Sequence, residues 1–224
     1  MLSSHKALKT SSIYPVITAY GCILACIGGF AALFIFGAMY PGYSHLKDTI
    51  SYLGMSASPV SGQISTCWII VGVTLVFFGT GFNKAFSENR KYVNIASWLI
   101  IIYGLGDEVG SGAFKADLVG DRMSAAYLIH DTIGGIGVTG ILFLPLIMMK
   151  IFCKEEMPGF HRLSKVIFIT SIIMVGLFLF RFSPDQSIFF AVYKGIWQRM
   201  FALSIYSYFI AIAILMIKRQ KIRE

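Results

Sequence analysis

Charge is what this sequence has least of. Asp, Glu, Lys and Arg make up 13% of its 224 residues, against about 25% in soluble domains. A chain so poor in charge cannot cover a water-facing surface, and this excludes an ordinary soluble globular domain. Cysteine is also sparse. Four cysteines, two of them (Cys22 and Cys26) inside an apolar run, make no disulfide framework and read as free thiols. Metal-protease spacing of the H-E-x-x-H kind is missing too, so no ready-made ligand set is legible.

What fills the chain is apolar: 56% of residues are hydrophobic, 15% are aromatic, and the mean hydropathy is +0.73. These residues come in long uncharged runs, the mark of bilayer-spanning helices. Six segments emerge, at about 13–39, 64–83, 93–113, 126–149, 166–182 and 198–217. They are too uniformly apolar for barrel strands, which alternate. The expectation is an all-α, six-span integral membrane bundle forming one membrane domain over 1–224. Lys6 and Lys9 ahead of an apolar run suggest a signal peptide, but the uncharged run from Ile13 to Tyr40 far exceeds the ~7–15 residues of a signal core. It reads as a span that stays.

The net charge of +8 does not point to nucleic acid, because the basic residues sit in short clusters between apolar runs. Thirteen fall on one side of the spans: Lys6, Lys9, Lys84, Arg90, Lys91, Lys150, Lys154, Arg162, Lys165, Lys218, Arg219, Lys221 and Arg223. Six fall on the other: Lys47, Lys115, Arg122, Arg181, Lys194 and Arg199. The positive-inside rule places the first group, and both termini, in the cytoplasm. Short loops and the lack of sorting motifs suggest a bacterial inner (plasma) membrane. Acidic residues show the reverse bias. Asp48, Asp107, Glu108, Asp117, Asp121, Asp131 and Asp185 lie outside, with Glu88, Glu155, Glu156 and Glu224 inside.

That reversal locates a candidate site. Only 15 uncharged residues separate Lys91 from Asp107, about 22 Å of helix in a hydrocarbon layer about 30 Å thick. Lys91 can snorkel; Asp107 and Glu108 reach less far, so at least one faces protein or a wet cavity. His130 and Asp131 open the fourth span, and His130 shares a helix face with Gly134 and Gly137. Arg181 closes the fifth, and Gln198 and Arg199 begin the sixth. Asp117, Asp121, Asp185, Lys194 and His45 read as interfacial bystanders. Small residues recur at Gly21, Ala25 and Gly29, and again at Gly134, Gly135, Gly137 and Gly140, as close helix packing requires.

The first outer loop adds His45, Asp48 and Ser51. If Tyr43 to Tyr52 is a short helix, His45 and Asp48 share a face, the raw material of a metal site or acid–base pair. The leading expectation is an outward polar pocket for a lipid or other amphiphile, with Asp107, Glu108, Arg181, Gln198 and Arg199 as ligand-binding residues. An arginine there suits a phosphate or carboxylate headgroup. A membrane-embedded hydrolase is the alternative. It has His45, Asp48, Asp117 and His130 around a metal, or Ser51 as nucleophile beside His45. A proton- or ion-coupled transporter relaying through Asp107, Glu108 and His130 is a third reading, though its charges lie at one end of the spans. No cofactor and no oligomeric state is legible.

Pro41, Gly42, Tyr43, Ser44, Asp48, Ile50, Ser51, Leu53 and Gly54, with Pro59 next, form a pattern that resembles the uncharacterised membrane family called domain of unknown function 998. Gly112, Phe114, Asp117, His130 and the Gln198–Arg199 pair extend that resemblance over nearly the whole chain. One departure is Lys115, where the family pattern has proline. The layout is also faintly similar to Frag1-like membrane proteins, which are linked to membrane lipids and lipid anchors. The first resemblance implies a fold and no established activity.

Overall fold

Apolar runs in lipid must pair every backbone N–H within themselves, and in the computed structural model, which describes residues 13–120 and 122–223, they close into helices. Lys6, Lys9, Asp121 and Glu224 lie outside the described residues. Among those residues five helices are long and apolar enough to cross a membrane: Ile13–Ala38, Ser61–Ala85, Ala125–Ile151, Pro158–Phe182 and Lys194–Gln220. The chain is an integral membrane, multi-pass, all-α bundle.

The elements in order are α1 (Ile13–Ala38), α2 (Ser51–Gly54), α3 (Ser61–Ala85), α4 (Arg90–Tyr103), a π-helical turn (Gly104–Val109), α5 (Gly110–Ala113), α6 (Ala125–Leu142), α7 (Leu144–Ile151), α8 (Pro158–Phe178), a 3₁₀ turn (Leu179–Phe182), α9 (Phe189–Val192) and α10 (Lys194–Arg223). Two-residue strands β1 (Leu118–Val119) and β2 (Arg122–Met123) pair antiparallel in the loop before α6. Helix α1 packs on α3 and α10, α3 on α4, α4 on α6 and α7, and α8 on α10.

The expected third span, 93–113, is the one that differs. It lies within Arg90–Ala113, a run of 24 residues in stretches of 14, 6 and 4. Its last part widens into the π turn that carries Asp107 and Glu108. Two other boundaries move for local reasons. Helix α8 begins at Pro158, ahead of the expected 166, because His161, Arg162 and Lys165 are helical residues that end the apolar run but not the helix. The fourth segment breaks at Phe143, where Pro145 withholds the N–H that would bond the Ile141 carbonyl.

A chain of aromatic contacts fills the end that holds Lys84, Arg90 and Lys150. Phe82 and Phe86 lie 4.8 Å apart between ring centroids, Phe86 and Phe152 5.2 Å, Phe152 and Phe160 5.5 Å, and Phe160 and Tyr208 5.8 Å. Lipid is as apolar as these rings, so close contact between them, not escape from water, holds the helices together here. The turn joining α3 to α4 is made by Asn89 in the left-handed conformation (φ 44°), which Asn tolerates. Its side-chain amide donates to the Lys150 carbonyl at 2.7 Å.

Candidate functional site

At the opposite end the helices part around a cavity of about 230 Å³. The π turn, α6, the end of α8 and the start of α10 form its walls, and Ile50 and Ser51 of the first long loop close it. Its polar side carries Ser51, Asp107, Glu108, Ser111, His130, Asp131, Arg181 and Gln198; its apolar side includes Val138, Val175, Phe178, Leu179, Phe201 and Ala202.

The π turn positions the carboxylates. A π turn adds a residue to the helical circuit and often marks a functional site. This one is wedged between glycines of two other helices. A Cβ on Gly72 of α3 would meet the Gly104 carbonyl and stand 2.9 Å from the Glu108 Cβ, and one on Gly137 of α6 would stand 2.9 Å from the Asp107 backbone nitrogen. Held so, Asp107 faces α6 and the cavity. Glu108, 5% exposed, takes a hydrogen bond from the Tyr206 hydroxyl at 2.5 Å and one from Tyr103 at 3.5 Å. These two tyrosines were not singled out in the sequence. A phenol within a span was the available signal, since its hydroxyl needs a partner.

His130 is 5% exposed and bonded at both ring nitrogens. Nδ1 is 2.8 Å from the Phe114 carbonyl oxygen. A carbonyl only accepts, so Nδ1 carries the proton. Nε2 then presents its lone pair and accepts from the Ser51 hydroxyl at 3.1 Å. Arg181 donates to both carboxylate oxygens of Asp131 at 3.1 Å and stacks over Phe178 and Phe182.

Gln198 and Arg199 diverge, as neighbours on a helix must. The Gln198 carbonyl oxygen accepts from the Ile50 N–H at 2.7 Å, and its side chain lines the cavity. Arg199 points into the first loop instead. It donates to the Asp48 and Gly195 carbonyls, each at 2.9 Å, and to the Tyr43 hydroxyl. Burial pushes the Tyr43 hydroxyl up to about 12, against the pull of Arg199. With Asp131 on Arg181 and Arg199 turned away, the cavity offers an anionic headgroup no unmatched positive charge among the described residues.

The loop helix expected over Tyr43–Tyr52 is absent. Residues 45–48 form a turn, closed by the Asp48 carboxylate accepting from the Ser44 N–H at 2.7 Å, and helix resumes only at Ser51. His45 therefore packs on Phe34 and Tyr43 and does not meet Asp48 or Ser51. Asp117 accepts from the Ser56 N–H and hydroxyl at 2.8 and 2.5 Å, tying the two loops together. Lys115 donates to the Ser61 and Ser65 hydroxyls at 2.5 and 3.0 Å. Asp185 closes its own turn on Ser187, and Lys194 bonds Gln186. Among the described residues no group of three or more His, Cys, Asp or Glu side chains could hold a metal ion. The set His45, Asp48, Asp117 and His130 is dispersed over four separate contacts.

The sequence profile of the family described as "Protein of unknown function (DUF998)" matches residues 23–215, which takes in every cavity residue named above. No curated protein and no solved structure matches the chain.

Proposed function

The chain belongs to the DUF998 family, and we propose that it is a single membrane domain whose cavity binds a lipid or other amphiphile from the outer side of the membrane. The observation that carries this is the two-faced cavity, polar along Ser51, Asp107, His130 and Gln198 and apolar along Val138, Phe178 and Phe201. An acyl chain suits the second face and a hydrogen-bonding head suits the first. Two carboxylates and one matched arginine favour an uncharged or cationic head over a phosphate. This revises the headgroup chemistry expected from the arginines alone.

The orientation follows from charge. Arg90–Ala113 serves as a further span, bringing the number to six. Its 24 residues cover about 36 Å, enough for a hydrocarbon layer of about 30 Å. Six spans and the 13-to-6 division of basic residues put both termini in the cytoplasm and the cavity at the outer face, in keeping with a bacterial inner membrane.

The test is binding in mild detergent of two fluorescent acyl probes, one with a glycerol head and one with a phosphate head. The glycerol probe is expected to bind at least about tenfold more tightly, a difference near 1.4 kcal/mol. Ala202→Trp, which fills the apolar side, is expected to abolish binding. Binding undiminished by Ala202→Trp would refute the pocket, and preference for the phosphate head would refute its electrostatics.

A further inference from the structure

We infer that Ser51 and His130 form a nucleophile–base pair and that the cavity hydrolyses a carboxylic ester of an amphiphile. This rests on the amphiphile reading of the cavity. It needs no metal and replaces the expected partner of Ser51, His45, with a residue 79 positions away.

The arrangement meets the geometric demands of such a pair. The Ser51 hydroxyl is 3.1 Å from His130 Nε2, within reach for general-base transfer. The Phe114 carbonyl, 2.8 Å from Nδ1, fixes the tautomer in which Nε2 is the free base, the part a carboxylate plays in the familiar triad. Both residues line the cavity. Beside them, the Ile50 N–H holds the carbonyl end of Gln198 at 2.7 Å. The amide NH₂ is left without a partner among the described residues, as a donor for an oxyanion. The loop is already tied to α10 through Arg199 at 2.9 Å and through the Ile196 N–H, which donates to the Leu46 carbonyl at 3.0 Å. The Ser51–His130 bond is therefore not needed as its anchor.

The steps balance. Ser51 Oγ attacks the ester carbonyl carbon while Nε2 takes the hydroxyl proton; the carbonyl π electrons move to oxygen, facing Gln198. Collapse breaks the bond to the leaving alkoxy group, which takes the proton from Nε2 and departs as the alcohol. Water, activated in turn by Nε2, attacks the acyl-serine and releases the carboxylic acid with Ser51 restored. With Arg181 neutralised by Asp131 and the Asp107 and Glu108 carboxyls on the same wall, the cavity offers no unmatched cation among the described residues for the anionic centre of a phosphodiester. That selects a carboxylic ester.

The experiment is incubation of the full chain in detergent with an alkyl fluorophosphonate, read by intact mass and peptide mapping, beside fatty-acid release from the glycerol-headed acyl ester probe. The expected result is one adduct, on Ser51, absent in Ser51→Ala and formed at least about a hundredfold more slowly in His130→Gln. Ser51→Ala is expected to retain saturable probe binding, weakened by no more than about tenfold for the lost hydroxyl on the polar face, about 1.4 kcal/mol being a factor of ten. A parent chain that binds the probe but takes no label and releases no acid overturns the nucleophile and leaves the pocket standing. Label on any other residue, or labelling unaffected by His130→Gln in a variant that still binds the probe, also overturns it. Failure of both parent and Ser51→Ala to bind defeats the pocket reading, and this inference with it.

Discussion

The two ends of the bundle solve opposite problems with the same helices. At the end bearing Lys84, Arg90 and Lys150, the interior is plugged by the rings of Phe82, Phe86, Phe152, Phe160 and Tyr208, and charged groups work on the outside. Arg90 caps the Asn83 carbonyl at 2.7 Å, and Arg219 pairs with Glu88 at the rim. At the other end the rings give way to a cavity, and carboxylates, an imidazole and a guanidinium lie inside. Polar groups inside cost free energy unless each is matched. Matching is what the second end shows, in Glu108 with Tyr206, Asp131 with Arg181, and His130 with Ser51 and Phe114. One end fastens the bundle; the other is held open at the expense of packing.

The largest effect that separates them is loss of an arginine. The Arg181–Asp131 side chains are 17% and 20% exposed, those of Arg219–Glu88 29% and 39%. Arg181→Met leaves Asp131 enclosed and uncompensated, and is expected to lower stability by about 3 kcal/mol. Arg219→Met, with its partner closer to water, should cost less than about 1 kcal/mol. Adding Asp131→Leu to Arg181→Met should recover most of the loss. Thermal or denaturant unfolding in detergent measures all three. Equal losses at the two ends would erase the distinction.

A smaller effect tests how the open end is built. A Cβ at Gly137 would stand 2.9 Å from the Asp107 backbone nitrogen and 3.4 Å from the Ile102 carbonyl oxygen. Neither can rotate away, so Gly137→Ala is expected to cost about 1–3 kcal/mol and to weaken probe binding, because the π turn must shift. Gly159, near the start of α8 at the packed end, has nothing within 4 Å of a built Cβ, and Gly159→Ala should change stability by less than about 0.5 kcal/mol.

How much of this the sequence disclosed follows from the range of each interaction. Five spans are runs of apolar residues, a property of consecutive positions. The Arg90–Ala113 run was harder, because the π turn at its end depends on Gly72 and Gly137, which belong to other helices. The cavity residues were noticed as unexpected charges, one by one. Their partners were not, since the Ser51–His130 contact joins residues 79 positions apart and Tyr206–Glu108 joins residues 98 apart. The local guess that failed, a helix pairing His45 with Asp48, failed for a local reason. Asp48 closes a turn on the Ser44 N–H, which competes with helix as short polar side chains do.

His45 gives the finest probe of the open end, at its rim. Burial, reinforced by the Arg199 guanidinium, holds its imidazole below the ordinary 6.5; Phe34 and Tyr43 flank the ring, and its Nδ1 has no partner. A base whose folded value is depressed binds fewer protons folded than unfolded in the interval between the two values, so stability there rises with pH. The contribution of His45 is therefore complete above pH 6.5 and is lost as pH falls from 6.5 toward the folded value. The expected outcome is faster hydrogen exchange in residues 43–50 as pH drops through that window, after correction for intrinsic rates. His45→Gln, which cannot take the proton, should flatten the profile. If the loop loosens equally in His45→Gln, the sensitivity belongs to another group, and the first loop is coupled to the cavity interior more tightly than its contact with Arg199 requires.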